Sequence, residues 1–154
     1  MLRLRLCADG GGTDDGSASL EFITAGVLLL LPIVYLVLVM SSVQAGAFAV
    51  EGASRQAARV YVQSPSTASA DAAAERAIEF ALADYGLDTD DVDVTVRCAP
   101  NPGTCLTREG LVTITVTTSV PLPLVPPILD LDEPLSVPLT ATATQQVSRF
   151  WTSR

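Results

Sequence analysis

The side chains best suited to chemistry in this sequence are its cysteines, and they are few. Cys7 stands alone near the N-terminus, whereas Cys98 and Cys105 flank Ala99-Pro100-Asn101-Pro102-Gly103-Thr104. That stretch is rich in turn formers and could fold the two thiols together. In an oxidising compartment the pair is expected to be bridged, and in the cytosol to be free. Zinc binding is the rival, but one Cys pair with no His anywhere in the chain makes a poor site, and no metal or other cofactor is expected. The absence of His also removes the commonest general base. No nucleophile–base pair is apparent, and the hydroxyls are mostly Thr in strand-like runs, where β propensity accounts for them, so no catalytic residue and no enzymatic activity are expected. The cluster Asp88, Asp90, Asp91 and Asp93 suggests calcium. It lacks the Gly and spaced Glu of an EF-hand loop, and a solvated turn before a strand explains it better, as for Asp130, Asp132 and Glu133. Nucleic acid is excluded on charge: nine basic residues, all Arg, face 17 acidic ones, for a net charge of −8.

The elements that would hold these residues follow from hydropathy. The mean hydropathy is positive, +0.41, and the excess is local. No charge occurs between Glu21 and Glu51, and Phe22 to Met40 is almost unbroken Leu, Val and Ile, long enough to span a bilayer. Pro32 interrupts the run, which membrane helices tolerate. Beyond Met40 the pattern turns small and then amphipathic, with Glu51, Arg55, Gln56 and Arg59 set among Ala53, Ala57, Val60 and Tyr61. This predicts one long helix over roughly 18–62, starting at Ser17-Ala18-Ser19, with Glu21 in its first turn where the helix dipole favours a carboxylate. Ser64-Pro65-Ser66 ends it and opens another, with Pro65 near the first helical position. In residues 67–85, Ala70, Ala74, Ala77, Ile78, Ala81, Leu82 and Tyr85 keep a helical period, Asp71, Glu75, Arg76 and Glu79 take the other side, and Gly86 is the stop.

The period then becomes two. Val92, Val94, Val96 and Cys98 alternate with polar residues, as do Val112, Ile114 and Val116, and then Leu135, Val137, Leu139, Ala141 and Ala143. Three strands, each with one buried face, are predicted, and Pro138 puts the third at a sheet edge. Pro121-Leu122-Pro123-Leu124-Val125-Pro126-Pro127 reads as an extended loop outside regular structure. The expected class is α+β: a long N-terminal transmembrane helix, a second amphipathic helix and a small antiparallel sheet of about three strands. The chain divides into a leader (1–16), the helix with its extramembrane extension (17–62) and an extracytoplasmic α/β domain (63–154).

The segment Gly16-Ser17-Ala18-Ser19-Leu20-Glu21-Phe22 lies at the edge of the apolar run. A Gly followed five residues later by a carboxylate, just before such a run, is the pattern cut by prepilin peptidases, between Gly16 and Ser17. The new Ser17 amine would be a charge at the head of an apolar helix. When helices pack side by side, Glu21 of one subunit can offset the amine of a neighbour, and a buried carboxylate without such a partner is costly. This segment, the Leu/Val-rich run and Gly52-Ala53-Ser54-Arg55-Gln56-Ala57-Ala58-Arg59 resemble the TadE-like pseudopilins of tight-adherence (Flp) pilus systems. The Pro-rich loop and Leu135 to Thr144 resemble the end of that family's domain. The resemblance covers most of the chain from Gly16, and its N-terminal half is the specific part. It implies a pilin-like fold, processing by a prepilin peptidase, assembly contacts through Glu21 and Phe22 with other pilin subunits and the assembly machinery, and no catalysis. It also implies a single-pass protein of the cell membrane, N-terminus cytoplasmic and C-terminal domain outside, at the base of a surface pilus or within it. The length favours a minor pilin over a major one, and the all-Arg, Ala-rich composition suggests a high-GC bacterial genome.

Two other readings compete. Ala45-Gly46-Ala47 and Ala47-Phe48-Ala49 are plausible signal-peptidase sites, but the apolar run exceeds the roughly 7–15 residues of a signal peptide's core and acidic residues directly precede it. Cys7 has no apolar segment before it, which excludes a lipoprotein. Arg3 and Arg5 on one flank balance Arg55 and Arg59 on the other, so charge does not orient the helix. A membrane-anchored binding or adhesion module unrelated to pili is the alternative function.

Overall fold

The computed structural model describes residues 15–124 and 135–152, with side chains from Ser19 onward. The expectations for Arg3, Arg5 and Cys7, for Val125 to Pro127 and for Asp130, Asp132 and Glu133 fall outside the described residues. In chain order the elements are α1 (Asp15–Gln63), α2 (Thr67–Ala83), β1 (Asp93–Ala99), β2 (Leu111–Pro121) and β3 (Ser136–Gln146). The fold is α+β, with two helices and a three-stranded antiparallel sheet in the order β1-β2-β3. Two compact units divide it, residues 1–37 and residues 38–154.

In the first unit α1 begins at Asp15, about one turn before the expected start. Glu21 therefore lies in the second turn, not the first. Gly16 and Ser17 are both helical. Pro32 sits inside the helix and leaves the Leu28 carbonyl without its usual i+4 donor.

The second unit builds its core from both helices and one face of the sheet. From α1 come the adjacent Ala49 and Val50, then Ala53, Ala57 and Tyr61 at four-residue spacing, all buried. Mostly small, they let the helix lie close to the sheet. Gly46 continues this stripe at the closest approach, where an added Cβ would crowd Val120 and Leu139. From α2 come Ala70, Ala74, Ile78 and Leu82, with Asp71, Glu75, Arg76 and Glu79 exposed as the periodicity predicts. Its N-terminus is a reciprocal capping box: the Ser69 N–H donates to Ser66 Oγ at 3.3 Å, and the Ser66 N–H donates to Ser69 Oγ at 3.2 Å. Ser66 is thus the N-cap, and Pro65 stands before it instead of at the first helical position. The helix stops at Ala83, where Gly86 at φ +68° lets the Leu87 N–H turn back to the Leu82 carbonyl.

Central β2 carries most of the sheet's share of the core, burying Val112, Ile114, Val116 and Val120, to which β1 adds Cys98 and β3 adds Ala143. Its outer face pairs with β3 through Thr hydroxyls: Thr113 with Thr144, Thr115 with Thr142 and Thr117 with Thr140, at 2.9 to 3.1 Å. Pro138 lies on edge strand β3, as expected. Pro121, expected in a loop, instead closes β2 opposite Ser136. The reason lies in the hydrogen-bond phase. Leu122 donates to Leu135 and Val147 to Gly110, so even-numbered β2 residues bond β3 and odd-numbered ones face β1. Strand β1 already ends at Asp93, opposite Thr117, so the nitrogen of Pro121 faces no partner and its missing N–H costs the ladder nothing.

Candidate functional site

The residues singled out for function fall in three places. The first is the N-terminal edge of α1. Glu21 is exposed between Leu20 (67% exposed) and Phe22 (80%), and every large apolar side chain from there to Met40 apart from Val39 is also exposed. An amphipathic surface helix would bury one side of this run; here the apolar character continues all the way round. Such a surface is stable only against lipid or other apolar helices. The helix is long and apolar enough to cross a membrane, as a membrane anchor or a signal sequence is.

The second place is the β1–β2 connection. Cys98, at the buried end of β1, is disulfide-bonded to half-buried Cys105, with 5.0 Å between their Cα atoms. The loop so closed leads through buried Leu106 to a tight turn at Gly110, whose N–H donates to the Thr107 carbonyl. A Cβ at Gly110 would lie 2.7 Å from Thr107 Oγ1 and 3.0 Å from Thr107 O, so the turn requires glycine. The bridge fixes the end of β1 to the loop that starts β2.

A long N-terminal apolar helix is thus followed by an antiparallel sheet that bears a disulfide. The architecture is pilin-like. No protein-family model, curated protein or solved structure matches the chain.

The third place is a groove of about 460 Å³ between α2 and β1. Ile78, Val92, Val94 and Val96 line it, and Asp71, Glu75, Glu79 and Asp90 supply carboxylates around it. Val94 belongs to the inward-facing set by its alternation yet is 41% exposed, because α2 does not cover this part of β1. Asp88 and Asp90 form a local turn, the Asp90 N–H donating to the Asp88 carboxylate at 3.1 Å. Among the described residues no group of three or more carboxylates or thiols is arranged to hold a metal.

Several residues that organise this unit gave little or no signal in the sequence. Trp151 Nε1 donates to the Ser64 carbonyl at 2.9 Å, and the Arg108 Nε donates to the Trp151 carbonyl at 3.1 Å, tying the chain's last described turn to the α1–α2 junction. Tyr61 is buried at the same junction, and burial first, then the neighbouring Asp71 carboxylate, pushes its phenol up to about 12. Glu51 and Arg55, four residues apart on the exposed side of α1, form an ion pair. A lone Trp near a C-terminus and a Gly in an Ala-rich helix carry no periodic signature, so their roles emerge only from tertiary packing.

Proposed function

We propose that the chain is a non-catalytic minor pilin or pseudopilin that helps to assemble or anchor a tight-adherence (Flp, type IVb-like) pilus. The observation that carries this reading is the combination of Gly16, Ser17 and Glu21 at the head of an apolar helix exposed on all sides. A cut after Gly16 removes only the beginning of α1 and leaves Ser17 at its N-terminus, one helical turn from Glu21. Side-by-side packing of such helices places the carboxylate of one subunit near the amine of the next, where the pair replaces water for both charges. Phe22, more exposed than its apolar neighbours Leu20 and Ile23, supplies apolar contact beside it.

The cysteine bridge supports placing the domain over residues 63–154 outside the cytoplasm, since stable disulfides belong to oxidising compartments. In this reading the protein is a single-pass protein of the cell membrane with its N-terminus cytoplasmic. Its partners are the membrane, a prepilin peptidase, other pilin subunits and the assembly machinery. The acid-lined groove favours a second reading, a membrane-anchored binding module with no role in a pilus.

N-terminal sequencing of the mature membrane protein tests the proposal. A start at Ser17 is expected, with Gly16→Ala leaving the leader attached and Glu21→Gln processed but not assembled. An intact Met1 or a start near Val50 would sink it. Normal pilus assembly with Glu21→Gln would favour the binding module.

A further inference from the structure

The two edges of the sheet are unlike in charge and alike in geometry. On one flank, β1 has its outward N–H and C=O groups at Val94, Val96 and Cys98, because residues 93, 95, 97 and 99 are the ones opposite odd-numbered β2 residues. Beside that edge α2 presents Asp71, Glu75 and Glu79, one helical turn apart, with Asp90 nearby. On the other flank, β3 has its outward groups at Thr140, Thr142 and Thr144. Beside that edge α1 presents Arg55 and Arg59, also one turn apart, around a second groove that reaches Thr142 and Gln145. The flank's own carboxylate, Glu51, is already held by Arg55, in an exposed pair that exchanges partners at little cost. Among the described residues neither outer edge pairs with another strand. An open edge beside half-exposed valines is a surface that single-chain proteins usually cover or interrupt.

We infer that the acidic β1–α2 flank of one copy docks on the basic β3–α1 flank of a second copy, the two edge strands extending one sheet and Arg55 and Arg59 facing Asp71, Glu75 and Glu79. A second copy is the occupant because one chain carries both halves of the match, with the same one-turn charge spacing and three outward backbone positions on each edge. Pro138, which has no N–H to offer outward, stops the pairing short of the start of β3 and confines it to the stretch next to the arginines. The contact joins two different surfaces, so each dimer keeps one flank of each kind open and association runs on in one direction. It involves only residues 51–144 and stands whether or not the chain is cut at Gly16.

Cross-linking of the full chain in mild detergent tests it. In a Cys7→Ser background, Gln56→Cys on the basic flank and Thr89→Cys beside the acidic one are joined with a short bis-maleimide. A ladder of dimers and larger species is expected from chains carrying both cysteines. Arg55→Glu with Arg59→Glu, or Glu75→Arg with Glu79→Arg, should each lower the yield by about tenfold. Mixing the first variant carrying Thr89→Cys with the second carrying Gln56→Cys should restore the dimer, because each retains the flank the other needs. Thr142→Pro removes an outward N–H together with the hydroxyl contact to Thr115, and Thr142→Ala removes that contact alone, so the two should unfold alike while only Thr142→Pro abolishes the ladder. No Gln56–Thr89 product from native flanks, a product insensitive to charge reversal, or equal homodimers from either single cysteine would overturn the inference. Persistence of the ladder in folded Thr142→Pro would overturn the strand pairing.

Discussion

Replacing Gly46 by Ala should destabilise the protein, although the same change in an exposed helix stabilises. The helix-propensity gain is roughly 0.5–1 kcal/mol. Against it stands the space. A Cβ at position 46 would lie 3.0 Å from Leu139 Cδ1 and closer still to Val120 Cγ2. Leu139 is half-buried on an edge strand and its tip can swing aside. Val120 cannot: it is β-branched, 3% exposed and fixed on the central strand. Overpacking of this kind costs roughly 1–3 kcal/mol, so the net change is a loss of about 1–2 kcal/mol. The contact predicts its own rescue. Val120→Ala alone removes two buried carbons, about 1.6 kcal/mol before the cavity term. With Gly46→Ala the new methyl enters the vacated space, so the double variant should be no less stable than Val120→Ala, a favourable coupling of about 1–3 kcal/mol. Urea unfolding of the full chain in mild detergent, followed by the emission of Trp151, the sole tryptophan, measures all four corners of the cycle. A Gly46→Ala protein more stable than its parent, or a strictly additive double variant, would refute the packing argument.

Other perturbations probe the remaining supports. Cys98→Ser with Cys105→Ser opens a short loop and should cost about 2–3 kcal/mol, read as a lower urea midpoint that added reductant does not shift further. Tyr61 carries a phenol raised from its ordinary value of 10.0 to about 12. Its neutral form is the one the fold favours, so that contribution is intact below pH 10 and is lost as the pH climbs through 12. Tyr61→Phe should therefore flatten the fall in stability over that alkaline window, as followed by far-UV circular dichroism against pH. Trp151→Phe keeps the ring packing but deletes the donor to the Ser64 carbonyl, and about 1 kcal/mol of stability should go with it, measured as a lower thermal midpoint.

What could be read in advance was what repeats. The apolar run, the four-residue stripe of α2 and the alternation of Val112, Ile114 and Val116 each recur over several periods, and helix, helix and sheet followed from them. The Cys98–Cys105 bridge was within reach because the turn between the two cysteines is written in Pro, Asn and Gly. Boundaries were harder. Pro121 reads as a breaker locally, and only the phase of the β2 ladder explains why a missing N–H does no harm there. Ser69 could not be recognised as the second half of a capping box, since that position is more often Glu or Gln. Gly46, Tyr61 and Trp151 act across long stretches of chain, and nothing near them in the sequence marks the residues they meet. The opposed charges of the two sheet flanks were equally hidden, because Arg55, Arg59, Glu75 and Glu79 look like ordinary solvated helix faces until the strand order sets them on opposite sides.

The seat of Gly46 against Val120 and Leu139 also bears on when the fold can form during synthesis. The hairpins β1–β2 and β2–β3 join neighbours in sequence, but the contact between α1 and β3 spans most of the second unit. A growing chain therefore exposes the alanine stripe of α1, and a half-made sheet, until its last strand has emerged. Pairings of such long separation close slowly and leave apolar surface uncovered meanwhile. The nascent protein thus passes through a stage in which the alanine stripe of α1 has no sheet to cover it, and truncation before Leu139 would leave that stripe uncovered.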